Sequence, residues 1–389
     1  MLSYYMSLCM AIDPIKLSQE LISFPSITPT DNGAIDFLSN TLSQYGFTCH
    51  VLTFGDDQVQ VRNLYAQLGN GSPNLCFAGH TDVVPTGDSE KWKFDPFSGK
   101  IEDNILYGRG VVDMKSAICA FVAAVSRIDF NQINGSISFL ISGDEEGNYF
   151  KYGTPAVLKW LTDNNKKIDF CLVGEPTSQS SVGDTIKIGR RGSINFKIVC
   201  NGVQGHVAYP HLAENPVDNM ISILYKISNT VLDNGNEYFQ PSNCEITSVD
   251  VGNTATNVIP DKITANLNIR YNDMHTSESL FNIINNICAE ITEKYELFTA
   301  VSGSSFITHP GKHSDMLSSA IKKVTGQDAI LSTSGGTSDA RFIKDFCPVI
   351  ELGLSNETAH KINEHAPVDD IYKLTDIYEE FIRQFFNIS

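Results

Sequence analysis

The sequence predicts an α/β fold with a central mixed sheet and, inserted into it, a smaller two-layer α+β domain of ferredoxin-like type. Two observations carry this prediction. Apolar strands alternate with helices over the first half of the chain. From about residue 191 the order becomes strand, helix, two strands, helix and strand, after which elements of the first kind resume. We therefore expect one domain from residues 12–190 and 305–389, and an inserted domain from residues 191–304.

Composition limits the classes of function. The chain of 389 residues is longer than an ordinary single domain, which predicts two domains. Its 42% hydrophobic and 19% charged residues are typical of a globular protein. No apolar run approaches the roughly 20 residues that span a bilayer. Nine scattered cysteines without a C-x-x-C pair favour free thiols in a reducing cytoplasm, and the net charge of −17 disfavours nucleic acid or anionic membrane as a partner. We expect a cytoplasmic, soluble protein without a signal peptide, starting at Met1 or Met10.

Local patterns place the elements in order. A helix over residues 17–24 stops before Pro25, and a second over 35–45 ends at Gly46. Short apolar runs bounded by Gly, Pro or polar residues predict strands. In the larger domain we expect strands at 47–54, 63–68, 75–78, 136–141 and 168–173, a packed polar loop at 91–103, and helices at 117–125 and 371–386. In the inserted domain we expect strands at 193–201, 245–251, 261–271 and 297–303, and helices at 217–227 and 280–295.

Polar side chains follow three of these apolar strands. His80 and Asp82 follow the first, Glu145 and Glu146 the second, and Glu175 the third. The carboxyl ends of the strands in open α/β sheets are where sites are built, so we expect these groups to converge. The alternative for the first pair is a strand-end turn with a solvated acid and an incidental histidine, because H-x-D is a short pattern.

Two further candidates are less certain from pattern alone. Asp113 lies where the glycine-rich run Gly108–Gly110 leads into a helix, and it could equally be a helix N-cap. A histidine near the C-terminus, His360 or His365, completes the set. Two histidines with several carboxylates are typical of a hydrolytic zinc site, whereas structural zinc prefers cysteine-rich shells.

These residues suggest a two-metal arrangement. Asp113 would bridge, with His80 and Glu175 on one ion and Glu146 and a histidine on the other. Glu145 then remains free beside the metals as a general base.

Eight runs occur in a fixed order along the chain: Gly79-His80-Thr81-Asp82-Val83-Val84-Pro85, Gly108-Arg109-Gly110 with Asp113-Met114-Lys115, Asp144-Glu145-Glu146-Gly147, Gly174-Glu175-Pro176-Thr177, Gly189-Arg190-Arg191-Gly192-Ser193, Gly205-His206-Val207-Ala208-Tyr209-Pro210, Gly335-Gly336-Thr337-Ser338-Asp339 and His360-Lys361-Ile362-Asn363-Glu364. In this order they resemble the M20 metallopeptidase family over nearly the whole chain. The family's last ligand lies in an H-x-x-N-E pattern, so the resemblance implies His360 rather than His365. It also implies that Asp82 supports His80.

The resemblance implies an activity and its cofactors. The chain would hold two Zn²⁺ ions per subunit, with Co²⁺ possible in one site. A water between the ions would attack an amide carbonyl with Glu145 as general acid and base. The implied substrate is a small succinylated diamino acid of bacterial lysine biosynthesis.

The inserted domain carries the remaining implied groups. The resemblance implies a homodimer in which this domain acts as dimerisation and lid domain and lends His206 to the partner's active site as a third catalytic group. It implies that the substrate contacts Arg190, Ser193, Tyr209, Asn257, Arg270, Gly336 and Thr337. Bidentate arginines suit carboxylates.

Several alternatives stay open. The chain could be another M20 amidohydrolase, acting on acetylated or carbamoylated amino acids or on dipeptides, or an amide-binding module without catalysis. Arg190 and Arg191 could instead have only a structural role at the domain boundary. Ser116 stands where many relatives have glycine, and residues 148–152 differ from the sequence that is usual in the subgroup. The resemblance therefore constrains the substrate specificity less than it constrains the reaction chemistry.

Overall fold

The computed structural model describes residues 11–388, which group into two compact units. Unit 1 contains the described residues up to Ile188, Thr308–Ser332, and those from Ser338 onward. Unit 2 contains Gly189–Ile307 and Thr333–Thr337. These limits differ slightly from the predicted 190/191 and 304/305, and they move Arg190 into unit 2. Arg190 belongs to unit 2 because it pairs with Phe306 and its guanidinium donates to the carbonyl of Gly336.

The helices are α1 (Pro14–Ile22), α2 (Ala34–Gln44), α3 (Ser116–Ser126), α4 (Thr154–Asp163), α5 (Pro216–Ser228), α6 (Ser277–Ile291), α7 (Lys312–Thr325), α8 (Ala340–Ile343) and α9 (Val368–Phe386). The strands are β1 (Thr48–Gly55), β2 (Gln60–Gly69), β3 (Asn74–His80), β4 (Lys100–Glu102), β5 (Ile105–Tyr107), β6 (Ser136–Ser142), β7 (Phe170–Val173), β8 (Thr185–Lys187), β9 (Gly189–Arg190), β10 (Gly192–Asn201), β11 (Gly205–His206), β12 (Asn243–Asp250), β13 (Val258–Ile259), β14 (Lys262–Tyr271), β15 (Tyr295–Gly303), β16 (Phe306–Ile307), β17 (Ile330–Ser332), β18 (Val349–Glu351) and β19 (His365–Pro367).

Unit 1 is built on an eight-stranded sheet in the order β1-β2-β6-β3-β7-β18-β8-β17. The neighbours β6, β3, β7 and β18 run parallel, whereas β1, β2 and β6 pair antiparallel, so the sheet is mixed as predicted. Strands β3, β6 and β7 are buried along their whole length, which explains their continuous apolar sequences. Their carboxyl ends therefore meet at one edge of the sheet.

An aromatic cluster packs helices α3 and α9 against this sheet. The ring of Phe121 on α3 stacks on Phe77 of β3, with centroids 4.4 Å apart, and lies 5.4 Å from Tyr378 of α9. The Tyr378 hydroxyl donates to the carbonyl of Leu352 at 2.5 Å, which satisfies a fully buried polar group. These contacts fix the positions of α3 and α9 on the sheet.

Unit 2 has a four-stranded antiparallel sheet in the order β12-β14-β10-β15, with α5 and α6 contributing to its core. The first and third strands of the unit's main sheet, β10 and β14, are central, which is the predicted ferredoxin-like order. One element differs: the helix predicted to reach residue 295 ends at Ile291. Thr292 is extended (φ −155°), and Tyr295 already begins β15.

Short two-stranded ladders, β11 with β13 and β9 with β16, complete unit 2. Over residues 11–388, no helix combines the length and the apolar character needed to cross a membrane.

Candidate metal centre

His80 is the last residue of β3, and its side chain is 1% exposed. Its Nδ1 lies 2.9 Å from the main-chain oxygen of Asp82, which can only accept, so Nδ1 carries the ring proton. Nε2 faces the acids, 3.2 Å from Asp113 Oδ1 and 3.6 Å from Glu175 Oε1, and it carries the lone pair whenever the ring is neutral. This tautomer is the one that a metal-binding imidazole requires.

Asp82 contacts His80 mainly through its main chain. The carboxylate Oδ1 is 3.6 Å from Nδ1, and the closer partner is the Asp82 carbonyl. Its two carboxylate oxygens instead accept from the backbone N–H groups of Glu145 and Glu146, each at 3.0 Å. Asp82 thus ties the strand end bearing His80 to the turn bearing both glutamates.

Asp113 lies between the two histidines. Its Oδ1 is 3.2 Å from Nε2 of His80, and its Oδ2 is 3.2 Å from Nε2 of His360. The alternative interpretation as an N-cap is wrong, because α3 begins at Ser116 and no side chain caps it. A carboxylate with one oxygen directed at each histidine has the geometry to bridge two ions.

The two C-terminal histidines lie in different surroundings. His360 Nε2 is 2.6 Å from Glu146 Oε1 as well as close to Asp113. The ring of His365 instead lies 5.2 Å from that of Tyr107, and its Nδ1 donates to the carbonyl of Asn363 at 2.7 Å. The geometry therefore favours His360 as the ligand, in agreement with the H-x-x-N-E pattern.

Ligand atoms converge in three groups among the described residues. Each group has its donor atoms within 4.8 Å of one another: His80 with Asp113 and Glu175, Asp113 with Glu146 and His360, and His80 with Glu145 and Glu146. Imidazole nitrogens and carboxylate oxygens are the donors that hydrolytic zinc sites use. The donor set therefore fits divalent metal ions, with Asp113 shared by two of the groups and Glu145 present in the third.

The electrostatics of the cluster support the same conclusion. Burial, together with Asp339 for Glu145 and Asp113 for Glu175, raises the pKa of both glutamates well above the usual value. Hydrogen bonds to Asp113 and Glu146 raise the pKa of His360 to about 10. Protons would thus neutralise the cluster in the absence of metal. A divalent cation removes the repulsion between the acids and displaces those protons.

The pKa values of Asp113 and His80 are shifted in opposite directions. Burial raises the pKa of Asp113, but the hydrogen bonds from His360 and His80 outweigh it and bring that pKa well below its usual value. Burial lowers the pKa of His80, yet Asp113, Asp82 and Glu175 together raise it well above the usual value. Asp113 is therefore the acid that stays ionised most readily, as a bridging ligand must.

Asp339 and Arg341 are two charged residues near Glu145 that the sequence analysis did not assign. Asp339 is 4% exposed and accepts from the Thr154 hydroxyl at 2.5 Å, and both charges act on the pKa of Glu145. Asp339 ends the glycine-rich run at 335–339, and that run is the signal that could have found it.

Unit 2 brings some of its predicted substrate residues together. Arg190 Nη1 donates to the Gly336 carbonyl at 3.1 Å, next to Thr337 in the same turn. Gly335 has φ +105° and passes close to this guanidinium, so a side chain is disfavoured there. Separately, Ser193 on β10 pairs directly with Arg270 on β14.

His206, Tyr209 and Asn257 form a different group in unit 2. His206 pairs with Val258 in the β11–β13 ladder, and the backbone N–H of Val207 donates to the carbonyl of Asn257 at 3.1 Å. All three side chains are exposed, and Tyr209 is 56% exposed. This group follows the Asn201 end of β10, whereas Ser193 lies at the start of that strand.

Comparisons with known proteins agree with this architecture. The chain matches the profile of peptidase family M20/M25/M40 over residues 76–384. It is 84% identical over 380 residues to the succinyl-diaminopimelate desuccinylase of Ehrlichia chaffeensis, covering 98% of this chain and 100% of that protein. It is 54% identical to the enzyme of the same name from Wolbachia pipientis wMel, covering 97% and 94% of the two chains.

Solved structures show the same fold at lower identity. An M20 family metallo-carboxypeptidase from Sulfolobus solfataricus superposes with a TM-score of 0.78 at 19% identity, covering 97% of this chain and all of the other. A dinuclear metal binding peptidase of the M20 family from Bacillus subtilis gives 0.68 at 15% identity, covering 97% and 98%. On the profile match and the high identity to its relatives, the chain belongs to peptidase family M20/M25/M40.

Proposed function

We propose that this chain is a two-metal amidohydrolase that converts N-succinyl-LL-2,6-diaminopimelate to succinate and LL-2,6-diaminopimelate. The substrate follows from the desuccinylase relatives, which match this chain over nearly their whole length at up to 84% identity. The chemistry follows from one observation above all, the Asp113 carboxylate with one oxygen directed at each histidine. That arrangement suits hydrolysis by paired metal ions.

The ligands divide between two ions. His80, Asp113 and Glu175 would hold one, and Asp113, Glu146 and His360 the other. We propose Zn²⁺ for both, with Co²⁺ able to occupy one, because nitrogen and oxygen donors accept either metal. When bound, such ions polarise an amide carbonyl and lower the pKa of water.

Glu145 is the proposed general acid and base. Its raised pKa, due first to burial and then to Asp339, brings the carboxyl nearer to the pH at which it must both accept and release a proton. Glu145 would take a proton from the attacking water and deliver it to the amine nitrogen as the C–N bond breaks. Asp82 holds the Glu145 backbone in place for this transfer.

Two groups of unit 2 would bind the carboxylates of the substrate. Arg190 lies beside Gly336 and Thr337, and Arg270 is paired with Ser193. A guanidinium next to a hydroxyl or to backbone N–H groups matches a carboxylate in geometry and charge.

The third catalytic group, His206, would come from the partner subunit of a homodimer. The backbone N–H of Ala208 donates to His206 Nδ1 at 3.0 Å, so the neutral ring keeps its proton on Nε2, free to donate to an oxyanion. Ser193 lies near one end of β10 and the chain reaches His206 beyond the other, and those ends are roughly 26 Å apart at about 3.3 Å per residue. One small substrate held by Ser193 and Arg270 would therefore need His206, with Tyr209 and Asn257, from a second copy.

We place the enzyme in the cytoplasm with a small molecule as its substrate. The cysteines of residues 11–388 are free, six of them buried, which suits a reducing compartment. The net charge of −17 disfavours binding to nucleic acid or anionic lipid.

The proposed reaction is tested with a panel of substrates and one variant. We expect turnover of N-succinyl-LL-2,6-diaminopimelate, with kcat/KM at least about 100-fold higher than for its N-acetyl analogue or for a dipeptide. The analogues lack the succinyl carboxylate and leave its binding groups unpaired. Glu145→Gln should keep its metal and lose about 10²- to 10⁴-fold in kcat. Steady-state assays on metal-loaded protein measure both.

The matched control is Glu90→Gln, the same change at an exposed glutamate of unit 1. Equal efficiency on acetylated substrate would contradict the assigned specificity. Near-normal turnover by Glu145→Gln would remove the assigned role of that residue.

The two C-terminal histidines give a second prediction. His360→Ala should lower the metal content from two ions per chain to one, because this ring is 2.6 Å from Glu146 and 3.2 Å from Asp113. His365→Ala should keep both ions, because its ring packs on Tyr107 instead. Elemental analysis after dialysis against a fixed free zinc concentration distinguishes them. The reverse result would reassign the ligand to His365.

Mixed dimers test the shared site. His206→Ala and Glu145→Gln homodimers should both be nearly inactive, whereas mixing them under exchange should restore activity. A mixed dimer has one site with both groups intact, so full exchange should recover about a quarter of wild-type turnover, because half of the dimers are mixed and each has one working site of two. Differently tagged subunits allow the mixed species to be purified. No recovery in purified mixed dimers, or a fully active monomer, would contradict sharing.

A further inference from the structure

Arg109 and Glu364 form a buried ion pair within unit 1, outside the proposed ligand set. Arg109 Nη1 lies 2.7 Å from Glu364 Oε2, and the side chains are 2% and 0% exposed. Burying two charges is costly unless further hydrogen bonds satisfy their remaining donors and acceptors. The segments that they belong to carry two of the proposed ligands, Asp113 and His360.

Glu364 holds the segment that leads to Asp113. Its Oε2 accepts from the N–H of Gly110 at 3.1 Å as well as from Arg109. Its Oε1 accepts from the N–H groups of Val112 at 2.8 Å and Asp113 at 3.2 Å. Both carboxylate oxygens are therefore fully used, and one of them fixes the backbone of the bridging ligand itself.

Arg109 holds the segment that carries His360. Its Nη1 also donates to the carbonyl of Lys361 at 3.2 Å, and its Nη2 to the carbonyls of Pro85 at 3.2 Å and His360 at 3.5 Å. The guanidinium carbon lies 5.3 Å from the ring centre of Trp92, a distance at which a cation and an aromatic face attract. The pair thus connects the main chain of one proposed ligand to that of the other.

The His360 segment needs such support. His360 and Asn363 both have left-handed backbones, with φ of +62° and +61°, a conformation that is uncommon for residues other than glycine. The His360 side chain is 49% exposed, whereas that of His80 is 1% exposed and locked by Asp82. Packing therefore fixes His80, while the position of His360 depends on its loop.

We propose that Arg109 and Glu364 are positioning residues that set the spacing of Asp113 and His360, and thereby the affinity for the ion held by Asp113, Glu146 and His360. The ion held by His80 and Glu175 depends on them much less. This inference rests on the proposed function, because it presupposes both ions.

Calorimetric titration of the metal-free chain with Zn²⁺ tests the inference. Wild type should show two binding steps. Glu364→Gln replaces one acceptor oxygen by an NH₂ group, so two of the four donors lose their partner. The affinity of one step should fall about 10- to 100-fold, the usual range for groups that orient a ligand. It should be the step that His360→Ala abolishes, and the other step should be unchanged. The zinc concentration for half-maximal activity should rise in parallel.

Asp233→Asn is the matched control. Asp233 is an acid in unit 2 with a nearly fully buried side chain, and it accepts from the backbone of Gly235 and Ser242 and from the Asn272 side chain. This variant loses acceptor capacity in the same way, far in sequence from every proposed ligand, and both zinc steps should remain as in wild type.

The titration distinguishes failure of the positioning role from failure of the proposed two-metal function. Wild type that binds fewer than two ions contradicts the proposed function and the inference with it. Two wild-type steps of which Glu364→Gln changes neither, or weakens both equally, overturn the inference alone. If Glu364→Gln does not fold, Arg109→Lys carries the same test. Lysine keeps the charge but cannot span Glu364 and three carbonyls at once.

Discussion

The structure of unit 1 depends on one electrostatic constraint, the burial of several carboxylates around two imidazoles at one edge of the sheet. Asp82, Asp113, Glu145, Glu146 and Glu175 lie around His80 and His360. Burial raises the pKa values of Asp82, Glu145 and Glu175, whereas hydrogen bonds from the histidines bring that of Asp113 below its usual value. Like charges at this distance in a region of low dielectric strongly oppose one another. Divalent cations would offset this repulsion. The hydrogen bonds around the cluster hold the acids in place.

The same constraint explains why groups outside the proposed ligand set connect the segments that carry the ligands. Asp82 ties His80 to the glutamate turn through two backbone N–H groups. Glu364 and Arg109 tie Asp113 to His360. Rigid ligands are the usual condition for tight metal binding and defined coordination. Unit 2 contains none of the proposed ligands.

Much of this site could be predicted from the sequence because it follows from strand geometry. Apolar runs that end in His80, Glu145 and Glu175 predict buried strands, and parallel strands bring their carboxyl ends together. The two-metal hypothesis needed that edge together with Asp113 and a C-terminal histidine. The order of strands and helices in the inserted domain was likewise sufficient for its ferredoxin-like topology.

The rest depended on contacts that no local pattern encodes. The partner of His80 Nδ1 is the backbone carbonyl of Asp82, which any residue would supply. Spacing alone could not separate His360 from His365, because the difference lies in long-range contacts, with Asp113 and Glu146 for His360 and with Tyr107 for His365. The assignment of Arg190 to unit 2 depends on its bond to Gly336, far along the chain. Helix α6 was predicted too long because its apolar residues continue directly into β15.

Anomalous diffraction from zinc-loaded crystals, measured on both sides of the zinc absorption edge, tests the bridged two-metal centre. Two peaks about 3.5 to 4 Å apart are expected. One should lie among His80, Asp113 and Glu175 and the other among Asp113, Glu146 and His360, with one Asp113 oxygen on each. A single peak, or two peaks of which only one contacts Asp113, would contradict the bridged centre.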